Sequence, residues 1–179
     1  MKKLILCAVS LGGLSVSQVV SASQICASEG PVPDTTPSEQ FVVNADGTVC
    51  DKQTNLMWQR CTFGQVYNSE SSSCDNVAQE LSWQQALQTA SAQEFAGYSD
   101  WHLPNVKELA SIVEHRCVKP SINETIFLET LEKNYWSSTT VEGTPANAWL
   151  FSFGDGKVSN VFNKSSQAYV RLARYAFCE

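Results

Sequence analysis

Apolar and polar positions change period twice along this chain. From Phe41 to Trp58, the groups FVV, TVC and NLMW are separated by polar residues. Asn44-Ala45-Asp46-Gly47 supplies turn chemistry between the first two, so the spacing predicts short strands. From Trp83 the period lengthens: Trp83, Ala86, Leu87 and Ala90 recur at helical spacing behind Ser82-Trp83-Gln84-Gln85. In that capping box a serine and a glutamine three residues on satisfy the first free amides, and Gly97 stands where the helix can stop. A second helix is predicted over Val106, Leu109, Ala110 and Val113, with Ile112 on its flank. It starts from Asn105 with Glu108 as its return cap, and Pro104 bars backward extension. The period then returns to two over Tyr135 to Val141, Ala148 to Phe153 and Val158 to Phe162. Gly154-Asp155-Gly156 is a hairpin signal, and Ala168 to Ala176 reads as a closing strand. Two helices followed by antiparallel strands predict an α+β domain.

The N-terminal residues follow another logic. Lys2 and Lys3 precede an apolar run from Leu4 to about Leu14, and Val20-Ser21-Ala22 places small side chains before a cut. This is the layout of a signal peptide spanning residues 1–22, and the run is too short for a membrane span. Lipidation is disfavoured, because Leu6 before Cys7 and Ile25 before Cys26 are not small. Cleavage would leave 157 of 179 residues and, with Lys2 and Lys3 gone, shift the net charge from −6 to −8. Such acidity disfavours nucleic acid, anionic lipid and sulfated glycans as partners. Residues 23–40 contain three prolines among small and acidic residues and read as an extended leader, with the domain from 41 to 179.

Cleavage removes Cys7 and leaves Cys26, Cys50, Cys61, Cys74, Cys117 and Cys178, an even set. A cut after Ala27 would strand one thiol. Export to an oxidising compartment (periplasm, cell surface or medium) makes these six disulfide partners rather than metal ligands or nucleophiles. Neither a CxxC pair nor zinc-like spacing with the two histidines is present, and no cofactor is implied. Cys61 and Cys74 bracket a polar loop that cannot order itself by burial, so a bridge between them is expected. His115 lies two residues from Cys117, but near a helix C-terminus a thiolate is disfavoured, and Cys117 reads as bridged. His102, between Trp101 and Leu103, reads as packing. Trp58, Trp83, Trp101, Trp136 and Trp149 sit within predicted elements and read as core aromatics. The spacing of carboxylate pairs for glycoside hydrolysis is a spatial quantity.

The segments DGTVCDKQTNLMWQRC, SWQQALQTA, FAGYSDWHLPNVKELASIV, YWSSTT, AWLFSFGDGKV and YVRLAR resemble, in order and spacing, the Lcl C-terminal domain family, over about Phe41 to Arg174. The resemblance implies a C-type-lectin-like fold: two helices beside a mostly antiparallel sheet, with the terminal strands close together. It further implies bridges Cys26–Cys178 and Cys50–Cys117. For the name-giving adhesin it implies trimerisation and binding of sulfated glycosaminoglycans. This chain departs from that adhesin in lacking a collagen-like stalk and in its acidity. The Glu-Pro-Asn, Gln-Pro-Asp and Trp-Asn-Asp motifs of calcium lectins are absent, and Asn147-Ala148-Trp149 does not replace them. The fold is shared with a formylglycine-generating oxidase, whose reactive cysteine pair finds no match here.

Together these observations predict an exported, non-catalytic, adhesin-like module that recognises a glycan or a protein of an envelope or host surface. Recognition is expected through the loops Thr62 to Ser73 and Lys119 to Asn134. A periplasmic assembly partner is the alternative, and a hydrolase or oxidase the second.

Overall fold

A computed structural model describes residues 23–28, 30 and 33–178, so the apolar start and the cut after Ala22 lie outside the described residues. The elements in chain order are β1 (Ile25–Cys26), β2 (Phe41–Val43), β3 (Thr48–Asp51), β4 (Leu56–Gln59), β5 (Val66–Asn68), β6 (Ser73–Asp75), α1 (Trp83–Ala92) and α2 (Val106–Ala110). There follow β7 (Cys117–Val118), β8 (Asn134–Thr140), β9 (Asn147–Ser152), β10 (Lys157–Asn163) and β11 (Ala173–Tyr175). A four-stranded sheet runs β11-β4-β3-β2, a three-stranded one β10-β9-β8, and β1-β7 and β5-β6 form small ribbons. All these pairings are antiparallel. The fold is α+β and mostly antiparallel, with no described helix long and apolar enough to cross a membrane.

Both capping boxes form. The Ser82 hydroxyl accepts from the Gln85 amide, and Asn105 accepts from the amides of Lys107 and Glu108. α1 ends at Ala92 before reaching Gly97, which at φ +78° instead lies in a turn closed by reciprocal hydrogen bonds between Phe95 and Tyr98. α2 ends at Ala110, short of the predicted stripe. Val113 pairs as a bridge with Ile122, so its burial comes from extended backbone and not from the helix.

Strand alternation divides the interior. Leu56 and Trp58 of β4 face a cluster with Phe41, Leu109, Phe127 and Phe151, while Met57 faces another with Ala86, Trp101, Trp136 and Leu172. β4 is buried at every residue because both of its faces are covered. The predicted closing strand is regular only over β11. Upstream, Ala168 exchanges backbone hydrogen bonds with Leu81, Tyr169 pairs with the start of β8, and the Val170 and Leu172 carbonyls accept from Phe63 and Gln59. These residues form a seam stitching the two larger sheets, so no single neighbour is followed long enough to make a ladder.

Arg171 sits in that seam, wholly buried. Nη1 donates to the carbonyls of Gln59 and Arg60, and Nη2 donates to the hydroxyls of Thr130 at 2.8 Å and Thr62 at 3.4 Å. Its guanidinium carbon lies 5.1 Å from the centre of the Phe127 ring. Burial pulls its pKa down to about 10, which still leaves it charged at neutral pH. Burial likewise pushes the neighbouring Tyr135 phenol up.

The leader, which carries little to bury, is held by polar contacts. Glu114, 4% exposed, accepts from the amides of Thr35, Thr36 and Arg116 and from the Thr36 hydroxyl, and shares the Thr35 hydroxyl proton with the Val113 carbonyl. Arg116 pairs with Asp34 at 2.5 Å, and Gln24 donates to the carbonyls of Pro120 and Ile122 at 2.7 Å. Burial alone would raise the Glu114 carboxyl, but the amide donors outweigh it and hold the pKa below the ordinary glutamate value.

Two outcomes are expected. Arg171→Met strands buried carbonyls and hydroxyls and should cost about 3 kcal/mol, read as a fall in melting temperature of about 6–12 °C; Arg171→Lys should recover only part of it. Because the folded Glu114 pKa is depressed, its stabilisation is present above the unfolded pKa and lost as pH falls through the folded one. Glu114→Gln should therefore show a flatter decline in stability on acidification, with less hydrogen-exchange protection of residues 33–38 at neutral pH.

Candidate functional site

The six cysteines predicted as bridged form three disulfides: Cys61–Cys74, Cys26–Cys117 and Cys50–Cys178. The Cys26–Cys178 and Cys50–Cys117 pairings implied by the resemblance are corrected, and strand order explains why. β2 and β11 are opposite edges of the four-stranded sheet, separated by β3 and β4. The segment before β2 leaves that sheet altogether, so Cys26 in β1 faces Cys117 in β7 directly. Past β11, the backbone amides of Ala176 and Cys178 donate to Asn55, which carries Cys178 across the end of β4 toward Cys50.

The chemistry-bearing residues near Cys117 are structurally engaged. Both His115 and Cys117 lie beyond α2, so the helix dipole does not act on the thiol; the disulfide does. The His115 side chain is exposed, and its backbone amide donates to the Thr35 hydroxyl. His102 Nε2 lies 3.2 Å from Glu108 Oε2, and its ring stacks on Tyr175 with centroids 5.0 Å apart. Glu108 also accepts from the Asn105 amide and the Tyr175 hydroxyl, which leaves its carboxylate occupied. Trp58, Trp101 and Trp136 are buried; Trp83 and Trp149 are half-buried, and Lys164 Nζ stands 3.9 Å from the centre of the Trp83 ring.

The two loops expected to carry recognition meet. β5 and β6 shape the first into a ribbon closed by Cys61–Cys74, and the Cys74 amide donates to Glu129 of the second at 3.3 Å. Arg60 braces both, donating to the carbonyls of Thr125 and Ile126 and to the Tyr67 hydroxyl.

Beneath the first loop is a cleft of about 250 Å³ between the end of β4, the ribbon and the segment after α1. Phe63, Tyr67 and Phe95 wall it, and Gln59, Gln65 and Gln93 line it. None of its lining residues is charged. Two glycines permit the close approach of its walls. A Cβ on Gly47, at φ +83°, would lie 2.7 Å from Cβ of Tyr67; one on Gly64, at φ +95°, would lie 2.7 Å from Cγ of Gln79. The sequence pointed to the loop Thr62 to Ser73 but to no cleft beneath it, because Gln59, Gln93 and Phe95 come from separate segments. The one local signal was a glutamine closing the apolar run LMWQ.

A family model described as the Lcl C-terminal domain matches residues 47–174. No curated protein matches the chain.

Replacing Cys61 and Cys74 together by serine should lower stability by about 3 kcal/mol in the chain-entropy account. Denaturant unfolding measures the loss, and hydrogen exchange should show it centred on residues 62–75.

Proposed function

The chain belongs to the Lcl C-terminal domain family, and from that membership we propose that it is an exported, non-catalytic binding module of adhesin type on a C-type-lectin-like scaffold. The observation that carries the reading is the state of its reactive groups. All six cysteines after the signal segment are bridged, and the carboxylates of Glu108 and Glu114 are consumed in capping and in anchoring the leader. What these side chains support is a rigid frame beneath two joined loops. Three disulfides accord with an oxidising compartment. The ligand is a glycan or a surface protein met by those loops. Sulfated chains are disfavoured, because acidic residues exceed basic ones by 18 to 12 even with the N-terminal lysines counted.

Purified, oxidised protein should be retained saturably on a glycan array or on intact cells, without consuming any ligand it binds. Turnover of a captured ligand would refute the reading. Crosslinking in whole cells that recovered one stoichiometric envelope protein would instead favour the assembly-partner alternative.

A further inference from the structure

We propose that the cleft beneath the Thr62–Ser73 loop binds one uncharged pyranose ring, between aromatic faces and side-chain carboxamides. This rests on the reading of the chain as a recognition module and names where and what it recognises. The starting point is Gln59, which is 7% exposed. Its backbone is committed on both sides, the amide donating to Leu172 and the carbonyl accepting from Arg171. Its side-chain amide has no hydrogen-bond partner among the described residues, although the side chain belongs to the cleft wall. That amide lines the cleft, where a ligand that both donates and accepts can pair with it.

Two further carboxamides flank it. Gln65 accepts from the Thr62 amide and Gln93 donates to the Glu94 carbonyl, which among the described residues leaves the Gln65 NH2 and the Gln93 oxygen without a partner. A carboxamide offers an acceptor beside a two-proton donor, which matches neighbouring hydroxyls that each do both. Phe63, Tyr67 and Phe95 supply apolar faces for the C–H side of a sugar ring. The absence of charge in the lining leaves nothing to offset the desolvation of a sulfate or carboxylate. At about 250 Å³ the cleft falls just below the roughly 300–1,000 Å³ of sites for drug-sized ligands, which suits a single ring. An apolar peptide side chain would satisfy the aromatic walls but leave the Gln59 amide unpaired, so the sugar is favoured.

The test titrates methyl glycosides of glucose, galactose, mannose and N-acetylglucosamine into oxidised, 15N-labelled protein. At least one should produce saturable shifts in the side-chain NH2 signals of Gln59, Gln65 and Gln93. Gln59→Leu, close in size, should weaken that binding about tenfold, as expected when a site loses a hydrogen-bonding group. Gln93→Ala, outside the core, should weaken it several-fold and serves if Gln59→Leu fails to fold. No saturable shift with any of these glycosides would overturn the proposal, as would unchanged affinity in both variants. Apolar peptides that bind the cleft more tightly after Gln59→Leu would overturn it too. If the glycosides fail while the protein is still retained on arrays or cells, this site is wrong and the broader recognition reading stands. Glycoside binding at the cleft accompanied by turnover would refute the broader reading and leave the site.

Discussion

A charged guanidinium sealed from water is costly unless most of its donors are met by the groups around it, and in Arg171 both Nη atoms are met while Nε has no partner among the described residues. Arg171 has no carboxylate partner among the described residues. It is accommodated by two carbonyls, two threonine hydroxyls and the Phe127 face. Those acceptors come from the end of β4, from the start of the Cys61–Cys74 loop and from the loop before β8. One side chain therefore sets the relative placement of the two sheets and both loops. Gln59 and the residues after it can form a cleft wall because Arg171 holds the backbone behind them.

The leader obeys the same economy on the opposite side of polarity. Glu114 is a buried anion satisfied by donors from a segment that has almost no apolar surface to contribute. Hydrogen bonds to a charged acceptor are stronger than neutral ones, and here they replace a hydrophobic contact as the means of fixing a strap. With the Cys26–Cys117 bridge and the Arg116–Asp34 pair, the strap becomes part of the domain.

How much of this was legible in the sequence depended on the range of the physics. Both capping boxes, the hairpin around Gly154-Asp155-Gly156 and the short strands near Phe41 to Trp58 are set by neighbours within a few residues. The position of Val113, read as helical, was decided by its bridge to Ile122. The seam at residues 168–172 was misjudged as one strand because its partners are distant in the chain. The leader looked unable to bury anything, since pattern reading counts apolar surface and does not see a distant carboxylate. Disulfide partners beyond Cys61 and Cys74 required the strand order. The cleft shared that difficulty, since its aromatic and amide groups converge only in three dimensions.

The bridges Cys26–Cys117 and Cys50–Cys178 interleave along the chain, spanning 91 and 128 residues. An oxidant that joined these thiols in chain order would couple Cys26 to Cys50, a pair that the finished molecule keeps apart. Reaching the native set from such a start requires exchange through mixed disulfides. A chain oxidised in that order would need an isomerising activity, and not oxidising power alone, to reach the native set.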